Sequence, residues 1–86
     1  MPGSRFLLFQ RDDCHLCDLA LEVLAQARAP AFDSIFIDDD PALERRYGQR
    51  VPVWRDEAHD LELDWPFTAD TLRVFLAAPA DGISGG

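Results

Sequence analysis

A chain of 86 residues is a single domain, with no room for a second core, and its 48% hydrophobic content suits a folded globule rather than a disordered segment. Asp and Glu number 16 against 8 basic residues, every one of them Arg, for a formal charge of −8. That balance argues against nucleic acid or anionic membrane as a partner, since both recruit positive charge.

Arg5 to Gln10 is an apolar, aromatic-rich run that reads as a buried strand. The run is too short for a signal-peptide core or a membrane span, so the cytoplasm is the expected compartment. Arg11-Asp12-Asp13 is a polar turn. From His15 to Arg28 the apolar positions Leu16, Ala20, Val23, Leu24 and Ala27 recur at helical spacing, with Asp12 and Asp13 as candidate caps. Pro30 limits the continuation of that helix. Phe32 to Ile37 reads as a second strand. Pro41 to Tyr47 is a short helix capped by Asp40 and ended by Gly48. Val51 to Arg55 is a third strand, Asp56 to Asp60 a polar turn in which His59 is solvated, and Leu61 to Asp64 a fourth strand. After the bend Trp65-Pro66-Phe67, Thr68 caps a last helix running to Ala78, with Leu72, Phe75 and Leu76 on its apolar side. Residues 79–86 read as a flexible C-terminal tail behind a domain of residues 1–78.

The order β-α-β-α-β-β-α places parallel strands on either side of a helical crossover and an antiparallel hairpin late in the chain. An α/β fold follows, a four-stranded mixed sheet flanked by three helices. Cys14-His15-Leu16-Cys17 stands where the first strand gives way to the first helix, and Arg50-Val51-Pro52-Val53 opens the third strand. Together these resemble the redox pair and the Thr-Val-Pro segment of glutaredoxins, over roughly Arg5 to Ala78. The resemblance implies a glutaredoxin-like domain of thioredoxin-like fold, a cis Val51–Pro52 bond beside the redox pair, and thiol–disulfide oxidoreductase activity.

The chemistry has a physical basis at each position. A thiolate, not a thiol, attacks a disulfide, and the free N–H groups and dipole of a helix N-terminus favour the thiolate. Cys14 is accordingly the expected nucleophile and the more exposed cysteine. Cys17, one turn inside, is the resolving cysteine, and the two Cα atoms should lie under ~7 Å apart. His15, if protonated, and Arg11 would support the thiolate, whereas Asp12, Asp13 and Asp18 oppose it. Arg50, Val51, Pro52 and Thr68 are the candidate substrate-binding residues: Arg50 by charge, Val51 by an unpaired backbone edge, Thr68 by its hydroxyl beside Asp70.

The chain departs from the glutaredoxin pattern at three places. His15 and Leu16 replace Pro and Tyr inside the motif, Arg11 replaces a Lys before it, and Trp65-Pro66-Phe67-Thr68 replaces the Gly-Gly-x-Asp that receives glutathione. Trp54, Trp65, Phe67 and Phe75 read as core or rim aromatics. The expected partners are protein or small-molecule disulfides, with glutathione a candidate co-substrate and no cofactor required; the chain is expected to be a monomer. Two readings compete with the oxidoreductase: a non-catalytic interaction module, and metal or cluster binding by cysteines of two chains. Zinc held within one chain is disfavoured, because only His15 and His59 could complete a four-ligand set.

Overall fold

A computed structural model describes residues 5–77. Eight elements occur in the order β1 (Phe6–Gln10), α1 (His15–Gln26), β2 (Phe32–Phe36), a 3-10 turn (Ile37–Asp39), α2 (Pro41–Tyr47), β3 (Val53–Asp56), β4 (Leu61–Asp64) and α3 (Ala69–Ala77). The sheet order is β2-β1-β3-β4. β1 runs parallel to β2, in the register Phe6↔Phe32 to Gln10↔Phe36, and antiparallel to β3, with Leu8 opposite Trp54 and Phe9 opposite Val53. β3 and β4 form the antiparallel hairpin. This is the mixed four-stranded arrangement expected from the sequence.

β1 is an unbroken apolar run because both of its faces are covered. On one face Phe6, Leu8 and Trp54 pack with Ala20 and Leu24 of α1 and with Phe67 and Leu72. On the other, Phe9 and Val53 pack with Ile37 and Tyr47. Ring pairs lock each layer: Phe6 stacks on Trp54 at 5.2 Å and Phe9 on Tyr47 at 4.1 Å between centroids. Leu8, Val53 and Leu72 are wholly buried, and side chains of that kind contribute about 1.5–3 kcal/mol each. Trp54 Nε1 is buried with no hydrogen-bond partner among the described residues.

Local chemistry sets the helix ends. Asp40 Oδ1 accepts from Ala42 N at 3.0 Å and Leu43 N at 3.3 Å, and Pro41 occupies the first turn of α2. Thr68 Oγ1 accepts from Thr71 N at 3.1 Å while Thr71 Oγ1 accepts from Thr68 N at 2.8 Å, a reciprocal cap for α3. The start of α1 departs from expectation. Neither Asp12 nor Asp13 caps it; Cys14 does, its Sγ accepting from Cys17 N at 3.1 Å. Asp13 instead takes the left-handed conformation, φ 54°, that turns the chain from β1 into the helix.

Other boundaries move for identifiable reasons. α1 stops at Gln26 because Arg28 enters the left-handed region at φ 54°. Ile37 leaves the sheet to begin the 3-10 turn. β3 begins at Val53 rather than Val51, since the N–H groups of Arg50 and Val51 both bond back to Tyr47 O, at 2.8 and 3.0 Å. Among the described residues two peptide bonds are cis, the expected Val51–Pro52 and also Trp65–Pro66. His59 is exposed in the turn between β3 and β4, as expected, and is also held there: its Nδ1 lies 2.9 Å from Asp56 Oδ2 and 3.0 Å from Arg5 Nη2. The proposed tail, residues 79–86, lies outside the described residues. None of the described helices is long and apolar enough to cross a membrane.

Candidate active site

The site forms where β1, β2 and α1 meet. β1 delivers Gln10 and Arg11 to the end of the sheet, the Asp12–Asp13 turn reverses the chain, and Cys14 starts the helix in an extended conformation, φ −112° and ψ 105°. Cys14 and Cys17 are joined in a disulfide, with Cα atoms 5.2 Å apart. Cys14 is half-buried, whereas Cys17 is 2% exposed. The asymmetry follows from the helix: the second cysteine sits a turn inside, on the face bearing Ala20 and Leu24, and the first stands at the open end.

Cys14 Sγ therefore has a backbone N–H directed at it in the first turn of α1. That group, with the helix dipole, favours negative charge at the sulfur. The loop before it is held from the other side of the sheet. Asp12 N donates to Asp38 Oδ1 at 3.0 Å. Arg11 donates to both carboxylate oxygens of Glu44 and, at 2.7 Å, to Gly48 O. The Glu44 hydrogen bonds raise the Arg11 pKa against a smaller lowering by burial. The guanidinium is thus a strut between β1 and α2, its charge matched by Glu44.

A cavity of about 460 Å³ adjoins the disulfide, lined by Cys14, Cys17, Arg11 and His15 among others. Four of the residues singled out from sequence thus share one cavity. Asp12, Asp13 and Asp18, expected to oppose the thiolate, line it too, as do Gln10, Leu21 and Phe36, which the sequence did not mark. Phe36, 49% exposed, is the last residue of the edge strand β2. In sequence it looks like the interior of an apolar strand, and only the strand order exposes it.

Arg50, Val51, Pro52 and Thr68 do not line this cavity. The sheet register carries Pro52 to the same end as Cys14, but on the β3 flank of β1 rather than the β2 flank. Arg50 donates to Asp64 at 3.0 and 2.7 Å and to Glu62 at 2.6 Å, so its charge is matched within the chain. The Val51 N–H, expected to be an unpaired edge, is occupied by Tyr47 O because it closes the last turn of α2. Pro52 O accepts from Trp65 N at 3.2 Å. The Thr68 hydroxyl is engaged in capping α3.

Beneath that flank lies a charge cluster centred on Glu62. Tyr47 OH donates to Glu62 at 2.5 Å, Arg50 at 2.6 Å, Arg55 at 2.9 Å and Arg46 at 3.2 Å. Burial pushes the Glu62 carboxyl up, but the hydrogen bonds from Tyr47, Arg50 and Arg55 outweigh it and hold the pKa at about 2. Tyr47 is driven up to about 12, first by burial and then by its bond to Glu62. Among the described residues no group of three or more His, Cys, Asp or Glu side chains is placed to hold a metal ion.

The family profile described as Glutaredoxin-like domain (DUF836) matches residues 5–77. Among solved structures, the crystal structure of protein XcR50 from X. campestris is similar at 67% identity, with a TM-score of 0.81, covering 86% of this chain and 99% of that one. The solution structure of XcR50 gives 65% identity, a TM-score of 0.80, and coverage of 88% and 97%. The solution structure of protein Ne2328 from Nitrosomonas europaea is 28% identical, with a TM-score of 0.64, covering 87% and 93%. No curated protein matches the chain.

Proposed function

Because the chain belongs to the glutaredoxin-like domain family, we propose that it is a thiol–disulfide oxidoreductase working by a dithiol mechanism, with Cys14 as nucleophile and Cys17 as resolving cysteine. The observation that carries this reading is the Cys14–Cys17 disulfide at the start of α1, with Cys14 the accessible partner and the Cys17 N–H directed at its sulfur. In the dithiol form, the Cys14 thiolate attacks a substrate disulfide and releases one substrate thiol. The Cys17 thiolate then attacks Cys14 Sγ, releases the second thiol and closes the protein disulfide. Two electrons pass from the protein to the substrate, and a thiol reductant must restore the dithiol. No cofactor enters the cycle, and a reducing compartment such as the cytoplasm suits it.

Glutathione is the less favoured small thiol. Arg50 is already paired with two carboxylates, and Trp65-Pro66 stands in place of the Gly-Gly segment. The test compares wild type with Cys14→Ser and Cys17→Ser by rate of exchange with a protein disulfide and a small disulfide. Cys14→Ser should abolish exchange. Cys17→Ser should keep the first attack and trap a mixed disulfide on Cys14, visible by mass. Equal, negligible rates in all three would reject the oxidoreductase and leave a non-catalytic interaction module.

A further inference from the structure

The cavity beside the disulfide is rich in carboxylates, three of them against the guanidinium of Arg11 and the imidazole of His15. Asp12, Asp13 and Asp18 line it with carboxylates. Arg11 lines it as well, but its charge is matched by Glu44 and its Nη2 also serves Gly48 O. The Asp12 N–H is taken by Asp38. Asp18, in the first turn of α1, supplies from within the chain the negative charge that a helix N-terminus attracts.

The rest of the lining includes a buried amide and an apolar wall. Gln10 is 4% exposed and lines the cavity. Its Nε2 donates to Ser34 Oγ at 2.7 Å. Leu21 and Phe36, 38% and 49% exposed, supply an apolar wall at the same opening. The volume, about 460 Å³, is that of a small-molecule site.

Resting on the oxidoreductase reading, we propose that this cavity selects low-molecular-weight disulfides of amine-bearing thiols, in which a cationic N–H donor lies a few bonds from the sulfur. The ammonium group meets the aspartates, the methylenes lie against Leu21 and Phe36, and the substrate S–S bond faces Cys14. In one turnover the Cys14 sulfur bonds one substrate sulfur as the substrate S–S bond breaks. The first aminothiol leaves as a thiolate and takes a proton from solvent. Cys17 then bonds Cys14, the mixed disulfide breaks, and the second aminothiol leaves in the same way. Protein dithiol and one disulfide become protein disulfide and two thiols, with no further reactant.

The experiment is single-turnover oxidation of the pre-reduced full chain, freed of reductant, by three disulfides of similar size. These are cystamine, bis(2-hydroxyethyl) disulfide and 3,3′-dithiodipropionate. Each rate is divided by the rate of the same disulfide with dithiothreitol, which removes intrinsic reactivity. Cystamine should exceed the neutral disulfide by about tenfold, and the dianion should fall below it by a similar factor. Salt near 1 M, where the Debye length is ~3 Å, should collapse the series. Asp12→Asn and Asp18→Asn should each reduce the cystamine-to-neutral ratio severalfold. Glu57→Gln removes the same charge at the far end of β3 and should leave the ratio unchanged; an equal loss there would reject the cavity in favour of net charge. Equal normalised rates for all three disulfides would overturn the proposal while leaving the oxidoreductase standing. No oxidation by any of them would reject both.

Discussion

Glu62→Gln tests whether the charge cluster beneath the Val51–Pro52 loop supports the fold through ionisation. The wild-type carboxyl receives hydrogen bonds from Tyr47 and from three arginines, and its pKa is held at about 2 against an ordinary 4.5. Such a depression corresponds to roughly 3 kcal/mol at neutral pH. The side chain keeps 15% exposure, so water screens part of the interaction, and about 2 kcal/mol is the expected loss. For a domain this small that is on the order of 10 °C in Tm. The pH dependence has a definite sign. The folded pKa is lowered, so the stabilisation is complete above the unfolded value of about 4.5 and disappears as pH falls through the folded value of about 2. Wild type and variant should therefore differ by about 2 kcal/mol near neutral pH and converge on acidification. Asp56 is also held well below the usual carboxylate range, chiefly by its hydrogen bond from Arg5 against burial, but it is common to both proteins and cancels in the difference. Urea unfolding of the oxidised proteins across this pH range reads the effect. A stability difference that stays constant down to the acid limit would refute the electrostatic argument and assign the loss to packing.

Further outcomes follow from single contacts. A Cβ at Gly48 would press on Glu44 O and stand 2.7 Å from Glu44 Oε1. Gly48→Ala should accordingly disturb the Arg11–Glu44 strut and cost about 1–3 kcal/mol in denaturant unfolding; a neutral result would show that α2 yields freely. Thr68→Ala removes the α3 cap and should cost about 1 kcal/mol. If capping is its whole role, disulfide-exchange rates stay at wild type, and a selective drop in exchange with glutathione disulfide would instead give the hydroxyl a part in binding. Trp54→Phe discards a buried N–H without a partner among the described residues. Its cost, read by thermal unfolding, should stay below the 3–5 kcal/mol usual for truncating a large aromatic in a core, and a loss within that range would mean that the indole N–H is satisfied after all.

The sequence by itself determined the order of elements, because each is written in local chemistry. The apolar run Phe6–Phe9, the helical spacing behind Cys14, Asp40-Pro41 at the start of α2 and Thr68 at the start of α3 all state their own conformation. It also determined that Cys14 and Cys17 lie at a helix N-terminus, since strand, turn and helix are contiguous there. Tertiary structure decided which groups are free. Arg11, Arg50 and the Val51 N–H look available in sequence, yet Glu44, the Glu62–Asp64 pair and Tyr47 O occupy them. Several of these partners are remote in sequence, and no periodicity or capping rule reports them. The same holds for the cavity. Gln10, Leu21 and Phe36 come from a strand, a helix and another strand, and they meet beside the disulfide because β2 is the edge of a sheet whose order is β2-β1-β3-β4. Local sequence sets the conformation of each segment. Which polar groups remain unpaired, and which apolar side chains remain exposed, depends on long-range pairing that exists only once the chain has closed on itself.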